Sequence, residues 1–184
     1  MITTRTPLRV SFAGGGTDLP SFYEKQYGAV LSSAINKYLY VTVKRHGKLF
    51  KENYRLNYSE SENAQSLNEV KNAIARECIR FLKVEPPIYI STVADLPASS
   101  GLGSSSSFAV GLLNALHAFK GERPSAGHLA EEAACIEIEI LKHPIGKQDH
   151  YAAAFGGINY ICFLRDGGVS IEPQKISLSE INEI

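Results

Sequence analysis

Four stretches of this sequence carry residue types that could do chemistry. The first is DLPASSGLGSSSSFAVGLL, residues 95–113, where Gly101 and Gly103 precede Ser104, Ser105, Ser106 and Ser107 and a helix-like apolar pattern follows. Glycine has no Cβ, so the backbone can take positive φ and approach a ligand closely. The helix start behind it offers unpaired N–H groups and a positive dipole end, which together favour an anion. The hydroxyls could donate to phosphate oxygens or ligate Mg²⁺. A Gly-Lys-Ser/Thr signature is absent, so this is not a Walker loop. The plainer reading is a capped helix behind a flexible turn. Capping uses one side-chain oxygen, and four consecutive serines exceed that need. Phosphate binding is the stronger reading of the two.

The second stretch, RVSFAGGGTD, brings Arg9 on a strand and Gly15, Gly16, Thr17 and Asp18 on a glycine-rich turn. Taken alone, these residues favour a surface Arg and an Asp that caps a short helix. The alternative is a turn that admits a ligand, with Asp18 accepting from sugar hydroxyls. The third, EEAACIEIEIL, holds Glu131, Glu132, Glu137 and Glu139. Ala134, Ile138 and Leu141 share a face at helical spacing, and a carboxylate could turn inward beside them only if paired with a cation. The fourth is HPIGKQDHYAAAFGG. Asp149 there is either an N-cap or a carboxylate aimed at a substrate hydroxyl, and His143 and His150 read as structural or surface residues.

The elements that must position these residues follow from pattern. TPLRVSFAG alternates as a half-buried strand does, LPSFYEKQYG suits a short helix, and AVLSSAI, YLYVTVKRHG and LFKENYRLNY read as three strands. SESENAQS reads as a polar loop. Leu67, Val70, Ile74, Ile79 and Leu82 repeat at helical spacing, which predicts one helix ended by Pro86-Pro87. IYISTVADL is a strand, and Ser104 to about Lys120 a helix with Gly121 at its end. Ser125 can cap a helix over AGHLAEEAACIEIEIL, and HYAAAF makes a short one. GGINYICFL and VSIEPQKI form strands with a hairpin at Asp166-Gly167-Gly168. Strands early and helices in the middle predict an α+β fold, with helices over one face of a mostly antiparallel sheet.

The chain has 184 residues, 44% of them hydrophobic, enough for one buried core and small for two. Nineteen basic residues balance nineteen acidic ones, a poor match to general nucleic-acid binding. Cys78, Cys135 and Cys162 are odd in number and scattered, and read as buried reduced thiols of a cytoplasmic protein. No apolar run reaches membrane-spanning length, and the N-terminus has no signal-peptide pattern.

Pro97-Ala98-Ser99-Ser100-Gly101-Leu102-Gly103-Ser104-Ser105-Ser106 resembles the phosphate-binding motif of the GHMP small-molecule kinases, a family that includes galactokinase, homoserine kinase and mevalonate kinase. Residues 9–18 are similar to its N-terminal sugar-side motif and residues 146–149 to its catalytic-Asp loop. The resemblance implies a ribosomal-protein-S5-domain-2-like α+β domain over residues 1–176. It also implies a second domain that begins at 177–184 and continues beyond this sequence, without which these residues are inactive. It implies ATP on Pro97, Ser100, Gly101, Leu102, Gly103, Ser104, Ser105, Ser106 and Ser107, with Mg²⁺ on Ser105 and Glu137. Asp149 would take or orient the attacking hydroxyl with Arg9 beside it, and Gly15, Gly16, Thr17 and Asp18 would hold the sugar.

Within the family, the stretches RTPLRVSFAGGGTDLPSFY and PIGKQDHYAAAFGG are most similar to the D-glycero-D-manno-heptose 7-phosphate kinases. The expected partners are therefore ATP and a sugar phosphate, with neither nucleic acid nor membrane. Lys147, Lys37 or Arg45 would meet the sugar's phosphate, an assignment that rests on charge alone. Galactokinases carry Glu-His where this chain has Gly15-Gly16, which argues against galactose. A kinase for galactose or fucose, or a binding module without catalysis, are the alternatives.

Overall fold

The computed structural model describes residues 1–47, 49–97 and 100–175. The expectations for Ala98, Ser99 and the segment 177–184 lie outside the described residues. Strand β1 (Ile2–Ala13) pairs antiparallel with the 18-residue β2 (Gly28–Arg45), and the short helix α1 (Pro20–Tyr23) lies in the connection between them. The two strands expected over this region are one. Its alternation survives along most of its length, with Val30, Ser32, Leu39, Val41 and Val43 buried on one face, and only the irregular middle hides its continuity. Pro7 has no N–H for the ladder, and the register of β1 slips between Pro7 and Arg9. Such bulges re-aim the following side chain, and the one re-aimed here is Arg9.

The far edge of β2 is shared. Its second half pairs with β5 (Ile88–Ala94) and its first half with β6 (Ile158–Phe163). Beyond β5 lie β3 (Tyr54–Asn57) and β4 (Ser61–Ala64), and beyond β6 lies β7 (Val169–Gln174) across the expected hairpin. Among the described residues, only β3 and β5 run parallel. Strand β4 occupies the segment expected as a polar loop. It is a sheet-edge strand that buries only Ala64, so hydrophobic alternation could not reveal it.

Helices cover one face of the sheet, as the α+β reading requires. Helix α3 (Ser104–Lys120) has the expected bounds and Gly121 at its C-cap, and lies over β1 and β2. Leu112, Leu113, Ala115 and Leu116 of α3 meet Val41, Val43 and Ile90 of the sheet in the main core. The helix expected from Leu67 is broken. Leu67–Glu69 is a 3₁₀ turn closed by a Ser66–Glu69 capping box, Val70 is extended, and α2 (Ala73–Phe81) restarts under Asn72, whose side chain accepts from Ala75 N. Glu62 fixes the break by accepting from Lys71 N (2.7 Å) and Asn72 N (3.1 Å). Helix α2 ends at Phe81, where Lys83 takes a φ of 51°, so the prolines do not end it.

Ser125 caps α4 (Ala126–Ala134) as expected, with its hydroxyl accepting from His128 N. The segment Cys135–Ile140 runs on directly from α4, but as a π-helix. Helix α5 (Gln148–Phe155) packs against α3 and α4. Of the cysteines only Cys78 is fully buried; Cys135 and Cys162 are half-buried, and all three are free thiols. Among the described residues no helix is long and apolar enough to cross a membrane.

Candidate functional site

The strand β1, the start of α3 and the start of α5 converge. Arg9 donates from Nε to Asp149 Oδ1 (2.7 Å) and from Nη2 to Oδ2 (2.5 Å), the two-pronged geometry for which guanidinium is suited. Its third nitrogen donates to the Gly101 carbonyl at 2.9 Å, and its backbone N to Leu102 O at 3.2 Å. Arg9 therefore ties the glycine-serine loop to Asp149. Gly103, at the N-cap of α3, has φ +76°, and a Cβ there would stand 3.2 Å from Asp149 Oδ2. Asp149 is the second residue of α5, and its carboxylate is spent on Arg9, so the N-cap reading of Asp149 is not what the structure shows.

The start of α3 has no side-chain cap. Ser107 N bonds to Gly103 O, and the N–H groups of the first turn ahead of it have no intrahelical partner. The four serines do not face one ligand, because successive helical residues are about 100° apart. Ser107 Oγ donates to Pro7 O at 2.9 Å and ties α3 to β1. Ser106 is buried and turned to the π-helix. Ser104 and Ser105 line a cleft of about 440 Å³ with Leu39, Asn72, Thr92, Pro97 and Phe108. Ser100 and Gly101 are exposed at its rim, and Leu102 is half-buried.

The π-helix turns Ile136 and Glu137 inward together, both fully buried. This differs from the expected face of Ala134, Ile138 and Leu141, since the wide turn shifts the register by one residue. His150 Nε2 lies 2.8 Å from Glu137 Oε2 with both residues fully buried, and the carboxylate accepts the N–H. His143 Nδ1 stands 3.5 Å from Oε1. Burial pushes the Glu137 carboxyl upward, but the His150 contact and the hydroxyls of Ser106 and Ser105 outweigh it and hold the pKa below its ordinary value. Neither serine completes a bond of good geometry, and Glu137 Oε1 and Ser106 Oγ are buried without partners.

Unpartnered oxygen donors facing one another fit Mg²⁺, a hard cation that takes oxygen ligands and retains water. Among the described residues no cluster of three or more His, Cys, Asp or Glu could hold a metal, so an ion here would lean on hydroxyl, water and phosphate oxygens. Ser106, expected on the nucleotide, and His150, expected to be structural or on the surface, both meet Glu137 instead. The contact crosses three elements, and no local periodicity marks it.

On the other side of Arg9 and Asp149 is a second cleft of about 240 Å³, lined also by Gly16, Asp18, Leu19, Ile145 and Gln148. Gly15 is exposed at its mouth. Thr17 uses its hydroxyl on β2, donating to Ala29 O (3.0 Å) and accepting from Ala29 N (2.9 Å). Asp18 is 2% exposed and faces Gln148. Of the expected phosphate cations, Lys147 donates to Gly167 O and lies over the Tyr23 ring, while Arg45 donates to Glu85 O and Pro86 O. Neither lines this cleft; Lys37 is exposed on β2.

The sequence model for the GHMP kinases N terminal domain matches residues 66–157. The chain belongs to the GHMP kinases. It is 34% identical to the D-glycero-alpha-D-manno-heptose 7-phosphate kinase of Campylobacter jejuni, over 95% of this chain and 54% of that protein. It is 27% identical to a galactokinase of Thermotoga neapolitana, over 97% of this chain and 51% of that one. A crystal structure of a D-glycero-D-manno-heptose 1-phosphate kinase from Bacteriodes thetaiotaomicron superposes with a TM-score of 0.89 at 30% identity, covering 100% of this chain and 63% of that chain. The chain thus spans about half the length of the curated relatives it matches. The α+β fold read from the sequence is that of GHMP kinase N-terminal domains.

Proposed function

We propose that this chain is the nucleotide-binding part of an ATP-dependent sugar kinase acting on the anomeric hydroxyl of D-glycero-D-manno-heptose 7-phosphate. The observation that carries this is the Arg9–Asp149 pair set against Gly103 at the uncapped start of α3. Phosphoryl transfer needs a phosphate cradle, charge neutralisation and an aligned nucleophile. The free N–H groups of α3 supply the cradle, and the 440 Å³ cleft beside Ser104 and Pro97 has room for the base and ribose.

Glu137, Ser106 and Ser105 would hold Mg²⁺, which when bound offsets phosphate charge. Asp149 faces the second cleft, where the sugar lies against the glycine turn at Gly16. The sugar oxygen attacks the terminal phosphorus, its proton passes to Asp149, and ADP leaves. A carboxylate is a weak base, so it works by position; an anomeric hydroxyl, more acidic than an ordinary alcohol, lightens the task. Heptose as the sugar is supported by the names of the Campylobacter jejuni and Bacteriodes thetaiotaomicron relatives.

The test is phosphate transfer by the full-length protein to a panel of heptose 7-phosphate, galactose, fucose and mevalonate. Heptose 7-phosphate is expected to be strongly preferred. Preference for an unphosphorylated sugar would overturn the substrate, and absence of any transfer would favour a binding module.

A further inference from the structure

Gln148, the first residue of α5, is held by three hydrogen bonds to two residues. Its backbone N–H donates to Asp18 Oδ2 at 3.0 Å, and its side-chain Nε2 donates to Asp18 Oδ1 at 3.2 Å. Its Oε1 accepts from Ser11 Oγ at 2.7 Å. Ser11 lies two residues after Arg9 on β1, so one strand holds both Gln148 and its neighbour Asp149. The primary amide serves both neighbours at once, donating to Asp18 through its nitrogen and accepting from Ser11 through its oxygen.

Asp18 is built into this arrangement. A carboxylate so deeply buried must be hydrogen-bonded, and both of its oxygens are used on Gln148. The loop closes directly over it, since a Cβ at Gly146 would fall 1.9 Å from Asp18 Oδ2. Helix α5 has no side-chain cap of its own at Lys147, and the negative charge of Asp18 sits where the start of a helix favours it.

We propose that Asp18 and Gln148 are positioning residues that fix the start of α5, and through it the Asp149 carboxylate, with Asp18 acting on Gln148 and not on the sugar. The role of Asp149 in this statement rests on the kinase reading.

The donor–acceptor pattern can be reversed. In Q148E two carboxylates would face each other. In D18N/Q148E, the amide oxygen introduced at position 18 can accept the backbone N–H of position 148. The amide nitrogen at position 18 then donates to the new carboxylate at position 148, which still accepts from Ser11. For the full-length protein, Q148E is expected to lower kcat about a hundredfold while the sugar and ATP KM values hold within about twofold. D18N/Q148E is expected to recover to within about tenfold of the wild type. Hydrogen exchange of the backbone amide at position 148 should quicken in Q148E and slow again in the double variant. A double variant no better than Q148E in both kcat and exchange would overturn the clamp. So would a D18N that raises the sugar KM with kcat unchanged, since that assigns Asp18 to the substrate. If the wild-type protein transfers no phosphate, the kinase reading fails, and amide exchange alone decides the clamp: restored protection supports it and unrestored protection overturns it.

Discussion

Arg9 and Asp149 stand 140 residues apart in sequence and meet through two hydrogen bonds, while the remaining guanidinium nitrogen holds the Gly101 carbonyl. One side chain thus sets the distance between the glycine-serine loop and the carboxylate. Lysine would keep the charge and lose the fork. R9K is expected to lower kcat about a hundredfold with ATP affinity little changed. D149N should abolish turnover and leave nucleotide binding intact. Steady-state kinetics with calorimetric nucleotide titration checks both, and near-normal turnover by D149N would remove that carboxylate from the chemistry.

Glu137 presents one oxygen to His150 and leaves the other without a partner beside Ser106. E137Q keeps the shape and removes the charge. The Mg²⁺ concentration for half-maximal rate should rise about tenfold or more, with a smaller rise for S106A. An unchanged Mg²⁺ dependence in E137Q would reject the metal assignment.

Gly103 adopts a left-handed conformation against the Arg9–Asp149 pair. G103A would add a methyl group 3.2 Å from the carboxylate and carry a backbone cost of about 1–2 kcal/mol. Urea denaturation should show a loss of that order, and turnover should fall further than the loss of folded protein explains. Wild-type turnover in G103A would show that the carboxylate tolerates displacement.

What the sequence revealed and what it hid divide along physical lines. Helix α3, its Gly121 end, the Ser125 cap and the β6–β7 hairpin follow local rules of capping and turn chemistry, and each lies where those rules predict. The approach of Arg9 to Asp149 was legible only through the family resemblance, because nothing local connects residues so distant. The π-helix was hidden because CIEIEI fits a helical pattern whether its turn is of normal width or wide. The separate fates of Ser104–Ser107 were hidden because composition says nothing about which hydroxyl faces β1, the π-helix or the cleft. Asp18 read as a helix cap or a sugar ligand because its partner lies 130 residues away.

His46 offers a pH test away from the site. It is buried with neither ring nitrogen hydrogen-bonded, its ring 5.0 Å from that of Phe50 and 5.7 Å from that of Tyr89. Burial lowers its pKa; Glu52 opposes this, and Arg55 and Lys44 add to it. The unfolded chain therefore binds a proton before the folded one does as the pH falls. The contribution of neutral His46 to stability is complete above about pH 6.5 and declines below it, toward the lower folded pKa. The urea midpoint of the wild type should fall between about pH 7.5 and pH 5 more steeply than that of H46F. Equal slopes would show that His46 titrates alike in both states.

The most direct measurement is a crystal structure of the full-length protein with Mg²⁺ and a non-hydrolysable ATP analogue. The predicted result has the analogue's phosphates on the backbone N–H groups at the start of α3, its base in the cleft beside Pro97 and Phe108, and its terminal phosphate directed toward Asp149. A nucleotide bound elsewhere, with that helix start turned to solvent, would contradict the account.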